Sequence, residues 1–145
     1  MTEDVQVLVA MRLRRAGQRL TTGRRLLLEA LGRAGRPVTT SELITDGTRL
    51  PQSTTYRNLA LFEQVGIVHR VTGSGDFARY ELAEEFTGHH HHLVCKLCGA
   101  VEDFEASKQV EQGLAEAISK FETGTGFRAE SHRLDLLGTC ASCVS

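Results

Sequence analysis

RLPQSTTYRNLALFEQVGIVHRV, residues Arg49 to Val71, changes its periodicity midway. Pro51 and the Ser53-Thr54-Thr55 cluster carry helix-start chemistry, and Leu59, Leu61, Phe62 and Val65 then recur at helical spacing until Gly66. Beyond that glycine, Ile67 to Val71 alternates as a strand does. Gly73-Ser74-Gly75-Asp76 reads as a turn and Phe77 to Leu82 as the returning strand. Upstream, an apolar stripe of Val5, Leu8, Val9 and Leu13 predicts a helix over 5–16, closed by Gly17. Thr21-Thr22 caps a second helix over 23–33 with Leu26, Leu27, Ala30 and Leu31 on one side. After the break at Gly35-Pro37, Thr39 or Thr40 caps a short helix through Glu42, Leu43 and Ile44. Helices followed by a hairpin describe a winged helix-turn-helix. The helix after Pro51 opens with Ser53 and Thr54, continues with Tyr56 and Arg57, and carries no acid before Glu63. That composition suits its N-terminal end to a major groove. The competing reading is a small helical bundle in which the threonines only cap.

Charge divides the chain. Residues 1–70 hold 11 Lys/Arg and 6 Asp/Glu, whereas residues 71–145 hold 6 and 12, although the total is only −1. A basic half facing a polyanion fits this split. No run approaches a membrane span, and the N-terminus lacks a secretory layout, so a cytoplasmic location and no membrane partner are expected. In that compartment thiols stay reduced.

Five of the six histidines and all four cysteines lie in the acidic half. Its centre is HHHHLVCKLC, His89 to Cys98. Cys95-x-x-Cys98 and Cys140-x-x-Cys143 supply four thiolates, enough for a closed tetrahedral zinc site of structural type. If His89 to His92 continue the strand into Leu93, His90 and His92 face one way and His89 and His91 the other. Each pair needs further ligands. Glu81 and His69 from the first half, and Asp103, Glu111 and His132 from the second, are candidates. Mixed His/carboxylate sets accept Zn2+, Fe2+, Mn2+ or Ni2+. The remaining pattern is a hinge at 85–88, a helix over 107–121 with Val110, Leu114, Ala117, Ile118 and Phe121 as its stripe, breaks at Gly124 and Gly126, and a strand region over 127–137. The expected fold class is therefore α+β: a winged-helix domain over 1–84, and a small α/β domain over 89–145.

Four stretches, AGQRLTTGRRLLLEAL, STTYRNLALFEQVGIVHRV, ARYEL…HHHHLVCKLCG and HRLDLLGTCASC, together make the chain resemble the ferric uptake regulator family of metal-responsive repressors. The resemblance implies a C-terminal dimerisation domain and a metal-loaded homodimer on an AT-rich inverted-repeat operator in double-stranded DNA. It places Tyr56 and Arg57 against bases and backbone, Arg19 in the minor groove and Arg24 beside phosphates. It makes the four cysteines a structural Zn2+ site and assigns His90, His92 and Glu81 to a regulatory hinge site. His89, His91, Glu111 and His132 go to a second site in the dimerisation domain, with a one-residue insertion after Cys98 required to place Glu111. Three departures bear on the hinge set: Pro37 stands where iron-sensing relatives often have a histidine ligand, the cysteine that zinc-sensing relatives use near Ala83 is missing, and His69 stands where they use an aspartate. The hinge set is expected to be His69, Glu81, His90 and His92, with Asp103 the alternative to His69.

A metal-dependent repressor is the leading function, and a peroxide-sensing iron-dependent repressor shares its ligands. A metal-buffering module is a further class. A zinc enzyme needs an open metal position and a placed base, and neither H-E-x-x-H nor a deaminase signature is present.

Overall fold

The computed structural model describes residues 1–71 and 77–144; the expected turn at Gly73 to Asp76 lies outside them. Helix α1 (Glu3–Arg15) starts where the Thr2 hydroxyl accepts from Val5 N, and it buries Val9 and Leu13. Helix α2 (Thr22–Ala34) is capped by Thr21 and stops at Gly35, whose φ of 60° is left-handed, where glycine carries no Cβ penalty. A two-residue strand β1 (Val38–Thr39) runs into the short helix α3 (Thr40–Leu43) through a capping box between Thr39 and Glu42, and a π turn (Ile44–Thr48) follows. Helix α4 (Gln52–Gln64) begins after Pro51 rather than at a hydroxyl cap, which puts Ser53 and Thr54 in its first turn.

Strands β2 (Val68–Val71) and β3 (Arg79–Leu82) complete an antiparallel sheet of order β1-β3-β2. One core serves this half: Val9, Leu13, Leu27, Leu28, Leu59, Phe62 and Ile67 are fully buried, with Val68, Tyr80 and Leu82 closing it from the sheet. The face of α2 is rotated from the sequence expectation, since Leu28 is inside and Leu26 exposed. Leu8 likewise stays outside although its spacing placed it in the stripe. Periodicity defines an arc, and only the neighbouring helices decide which edge of that arc they cover.

The segment expected to be irregular contains one helical turn, α5 (Glu84–Thr87). Arg12 fastens it: the guanidinium pairs with Glu85, lies over the Phe86 ring 5.5 Å from its centroid, and donates to Gly66 O at 3.0 Å.

The second half is a mixed sheet of order β5-β4-β6. Strand β4 (His91–Cys95) pairs antiparallel with β5 (Val101–Phe104) and parallel with β6 (Asp135–Gly138). Between β5 and β6 runs helix α6 (Lys108–Thr125), capped by Ser107. It passes through Gly124 and ends at Gly126, so only one of the two expected breaks operates. The final strand region is shorter than expected, with residues 126–134 outside any helix or strand. A terminal turn, α7 (Ala141–Val144), carries Cys143. The stripe on α6 is not a core in a single chain: none of its residues is buried, and Phe121 is 68% exposed. Leu136 and Leu137 on β6 are exposed too.

Phe62→Ala empties a fully buried site and is expected to lower unfolding free energy by about 3–5 kcal/mol in urea titrations. Leu8→Ala, on the exposed edge of α1, should stay within about 0.5 kcal/mol of the parent.

Candidate metal centres

Three groups of ligand-type side chains form, each with its donor atoms within 4.8 Å of one another. The first joins Cys95, Cys98, Cys140 and Cys143. The chain turns tightly after Cys95: Gly99 at φ 75° donates to Cys95 O at 3.0 Å, and Lys96 N bonds Gly138 O, which brings the last cysteine pair alongside. Cys98 and Cys140 sulfurs are 3.7 Å apart. That is far beyond a disulfide bond and matches the edge of a tetrahedron with metal–sulfur bonds of about 2.3 Å. Backbone N–H groups at Cys98, Cys140 and Leu97 lower the Cys95 thiol to about 6. By contrast, hydrogen bonding among the sulfurs, chiefly from Cys140 and Cys98, pushes Cys143 up to about 12. Packed thiols resist becoming four anions together, and a divalent cation removes that resistance.

The second group is Glu81 from β3, His90 and His92 at the start of β4, and Asp103 from β5. Glu81 straddles the two rings, with Oε2 2.9 Å from His90 Nε2 and Oε1 2.8 Å from His92 Nε2. Asp103 faces the same two nitrogens at 3.5 and 3.6 Å. The opposite ring nitrogens are held from behind, His90 Nδ1 by Gly88 O at 3.0 Å and His92 Nδ1 by Asp135 at 3.5 Å, the arrangement that orients metal-ligating imidazoles. Burial alone would raise the Glu81 carboxyl, but the His92 and His90 hydrogen bonds outweigh it and hold it below its ordinary value. Burial lowers His90, yet Gly88 O and Glu81 raise it overall; His92 is raised chiefly by Glu81. Asp103 is pushed up to about 6, first by burial and then by the Glu81 charge. Its Oδ1 is buried without a hydrogen-bond partner. An ionised pair of carboxylates with an orphaned oxygen is the donor set of a divalent cation, and these residues fit one.

His69 is not in this group. It pairs with Glu81 across β2 and β3 and lines a 330 Å³ cavity beside the cluster, while Asp103 takes the fourth place. Of the expected set of His69, Glu81, His90 and His92, the structure brings the last three together, with the expected alternative Asp103 beside them. The cause is tertiary: β5 pairs with β4 so that Asp103 stands directly opposite His92.

The third group is His89, His91, Glu111 and His132. Nε2 of His89 and Nε2 of His132 are 3.0 Å apart, and Glu111 reaches His91 at 2.5 Å and His132 at 3.1 Å. The His91 hydrogen bond, outweighing desolvation, lowers the Glu111 carboxyl. Three imidazole nitrogens and a carboxylate converging on one point again suit a cation. Glu84 of α5 lies 3.0 Å from His89 Nδ1 and ties this group to that helical turn. Neither Glu84 nor Asp135 carried any signal in the sequence; each comes into contact only through the fold.

On the winged-helix half, Ser53, Tyr56 and Arg57 project from α4 into solvent, Thr54 is half-buried and Arg19 is exposed. Arg24 is turned inward. It donates to Arg19 O at 2.7 Å, Gln18 Oε1 at 3.1 Å and Asn58 Oδ1 at 3.2 Å, so it ties the Arg19 loop to α4.

A winged-helix domain joined to a small sheet bearing three cation-type ligand clusters defines a metal-responsive DNA-binding class. The profile of the ferric uptake regulator family matches residues 15–137, and the chain belongs to that family. It is 30% identical over 136 residues to the peroxide-responsive repressor PerR of Staphylococcus aureus strain USA300, covering 90% of this chain and 86% of the relative. Among solved structures, the Fur of Vibrio cholerae superposes with a TM-score of 0.69 at 31% identity, over 88% of this chain and 96% of that one. The Fur of Pseudomonas aeruginosa with manganese also gives 0.69, at 28% identity over 97% and 99%.

The Glu81–His90–His92–Asp103 cluster is testable by pH and by substitution. Its affinity for a divalent metal should fall about tenfold or more between pH 7.5 and 6.0 in chelator competition, because both rings must be neutral and both are raised above 6.5. Metal-free stability runs oppositely. The raised histidines contribute below 6.5 and lose that contribution as pH rises through their folded values, while Glu81 contributes above 4.5 and loses it on acidification. In metal titrations, Asp103→Ala should weaken hinge binding by about tenfold or more, whereas His69→Ala should leave it within about threefold. The reverse order would restore His69 to the set.

Proposed function

We propose that this chain is a metal-dependent transcriptional repressor, acting as a homodimer on an AT-rich inverted repeat in double-stranded DNA. The observation that carries the reading is the Glu81–His90–His92–Asp103 cluster. Its donors come from β3 of the winged sheet and from β4 and β5 of the second sheet. Residues 1–84 and 89–145 are read as the two working units, with 85–88 as the hinge. Glu81, His90, His92 and Asp103 would hold a divalent ion, whose positive charge would let Glu81 and Asp103 remain ionised side by side. Glu81 would then hold β3 against β4, which would make the relative placement of the DNA-binding half dependent on metal. The fully closed cysteine set is assigned to structural Zn2+. The hinge set, with two nitrogens and two carboxylates, is assigned to a regulatory Zn2+ or Fe2+, and Mn2+ or Ni2+ satisfy the same donors.

Dimerisation is assigned to the second half, where a partner would cover Phe121, Leu136 and Leu137. Ser53, Thr54, Tyr56, Arg57 and Arg19 are assigned to DNA, with Arg24 as their support. Among the described residues no helix is long and apolar enough to cross a membrane; a cytoplasmic place beside the DNA belongs to the proposal. Binding rather than catalysis is the work assigned to every cluster. A peroxide-sensing version has one observation in its favour, the Asp103 carboxylate beside His90 and His92 in a chain 30% identical to a peroxide-responsive repressor. Iron-loaded protein exposed to peroxide would then gain an oxygen adduct on one of these histidines.

The test is DNA anisotropy with protein retaining only its cysteine-bound zinc, using duplexes that the protein selects from a random pool. Fe2+, Zn2+, Mn2+ or Ni2+ should raise affinity by about tenfold or more, a coupling of about 1.4 kcal/mol. DNA affinity indifferent to all four would overturn the sensor reading.

A further inference from the structure

We propose that His69 is a transfer ligand, which captures a divalent metal ion from solvent and passes it to the Glu81–His90–His92–Asp103 cluster without belonging to the filled site. The inference rests on the metal-binding reading of that cluster and gives a task to a histidine that stands outside it. The receiving donors are recessed: the side chains of His90, His92 and Glu81 are 10%, 9% and 7% exposed. A cation that enters such a place bare loses most of its solvation at once, whereas donors that replace its waters one by one keep that cost low. A recessed site therefore needs an entry path as well as its final ligands.

His69 is placed to begin that path. It is exposed, lines a 330 Å³ cavity with Glu81, His90 and His92, and makes no side-chain hydrogen bond or ion pair among the described residues. On β2 it stands directly opposite Glu81 of β3. Such cross-strand neighbours share a face, with Cβ atoms about 4.5–5.5 Å apart. Glu81 in turn meets both receiving rings with its two oxygens, so one carboxylate links the exposed imidazole to the recessed pair. Yet His69 is not among the donors that lie within 4.8 Å of one another. A donor near enough to exchange and too far to stay is what transfer requires. The two arginines on the same cavity are already paired, Arg70 with Glu63 at 3.5 Å and Arg133 with Asp135 at 3.6 Å. A second cavity, of 320 Å³, also touches Glu81, His90 and Asp103 and is the competing route. Its lining adds the charges of Arg36 and Glu105 but, among the described residues, no imidazole beyond that of His90.

Rates separate a transfer ligand from a resident one. The test is stopped-flow loading of the whole chain holding only its cysteine-bound zinc, with Co2+ as the probe; the absorption that Asp103→Ala alters reports this cluster. His69→Ala should slow both uptake and release into excess chelator about tenfold, because a transfer ligand lowers one barrier that is crossed in both directions. Equilibrium affinity should stay within about threefold of the parent, since the final donors are unchanged. His69→Asp keeps a metal-ligating oxygen and should recover most of both rates, whereas His69→Gln should not. Unchanged rates in His69→Ala would overturn the proposal. So would a loss of affinity, which would make His69 a resident ligand, or slowing by Glu105→Ala in its place, which would move entry to the other cavity. Uptake of no Co2+ by the parent chain beyond its cysteines would instead sink the metal-binding reading beneath it.

Discussion

The pleat at the start of β4 is the constraint on which the metal chemistry depends. Consecutive side chains on an extended backbone point to opposite faces, so four adjacent histidines cannot serve one ion. The rings sort into neighbours two apart: His89 lies 4.6 Å from His91 and His90 lies 5.3 Å from His92, centroid to centroid. One pair meets Glu81 and Asp103, the other Glu111 and His132. Three residues further along the same strand, Cys95 opens the cysteine cluster. A single register shift would exchange the partners of every histidine.

Electrostatics makes these clusters responsive rather than merely present. Glu81 and Asp103 approach the same two imidazole nitrogens, and Asp103 takes up a proton more readily because burial and the neighbouring charge disfavour its ionised form. Under the proposed function, protons and a divalent ion would compete for these donors. The contacts that orient the rings reach into both halves of the chain: Gly88 O belongs to the hinge, Asp135 to β6, and Glu84 couples the second histidine group to α5. On the far side of that short helix, Arg12 of α1 is joined to Glu85 and Phe86. Helix α5 is thus joined both to the second histidine group and to α1.

Much of this was legible in the order of residues. Composition and local chemistry mark the helices, the hairpin and the cysteine pairs, because caps, glycine stops and two-residue thiol spacing act over a few residues and survive any tertiary context. The assignment of His90 and His92 to one face needed only the period of a strand. The rotated face of α2, the exposed stripe of α6 and the extra turn at α5 were not legible. They depend on which neighbour covers which arc, and among the described residues of one chain nothing buries the stripe of α6.

The sequence by itself determined the ligand types, the division of the histidines into two pairs, and the helix that opens after Pro51 with no acid before Glu63. Tertiary structure alone decided that Asp103, and not His69, stands with Glu81, His90 and His92, and that Arg24 bonds Arg19, Gln18 and Asn58. The reason is range. Periodicity states where a side chain points along its own element, whereas a metal site or a binding wall is closed by residues tens of positions away, brought together by strand register and helix packing.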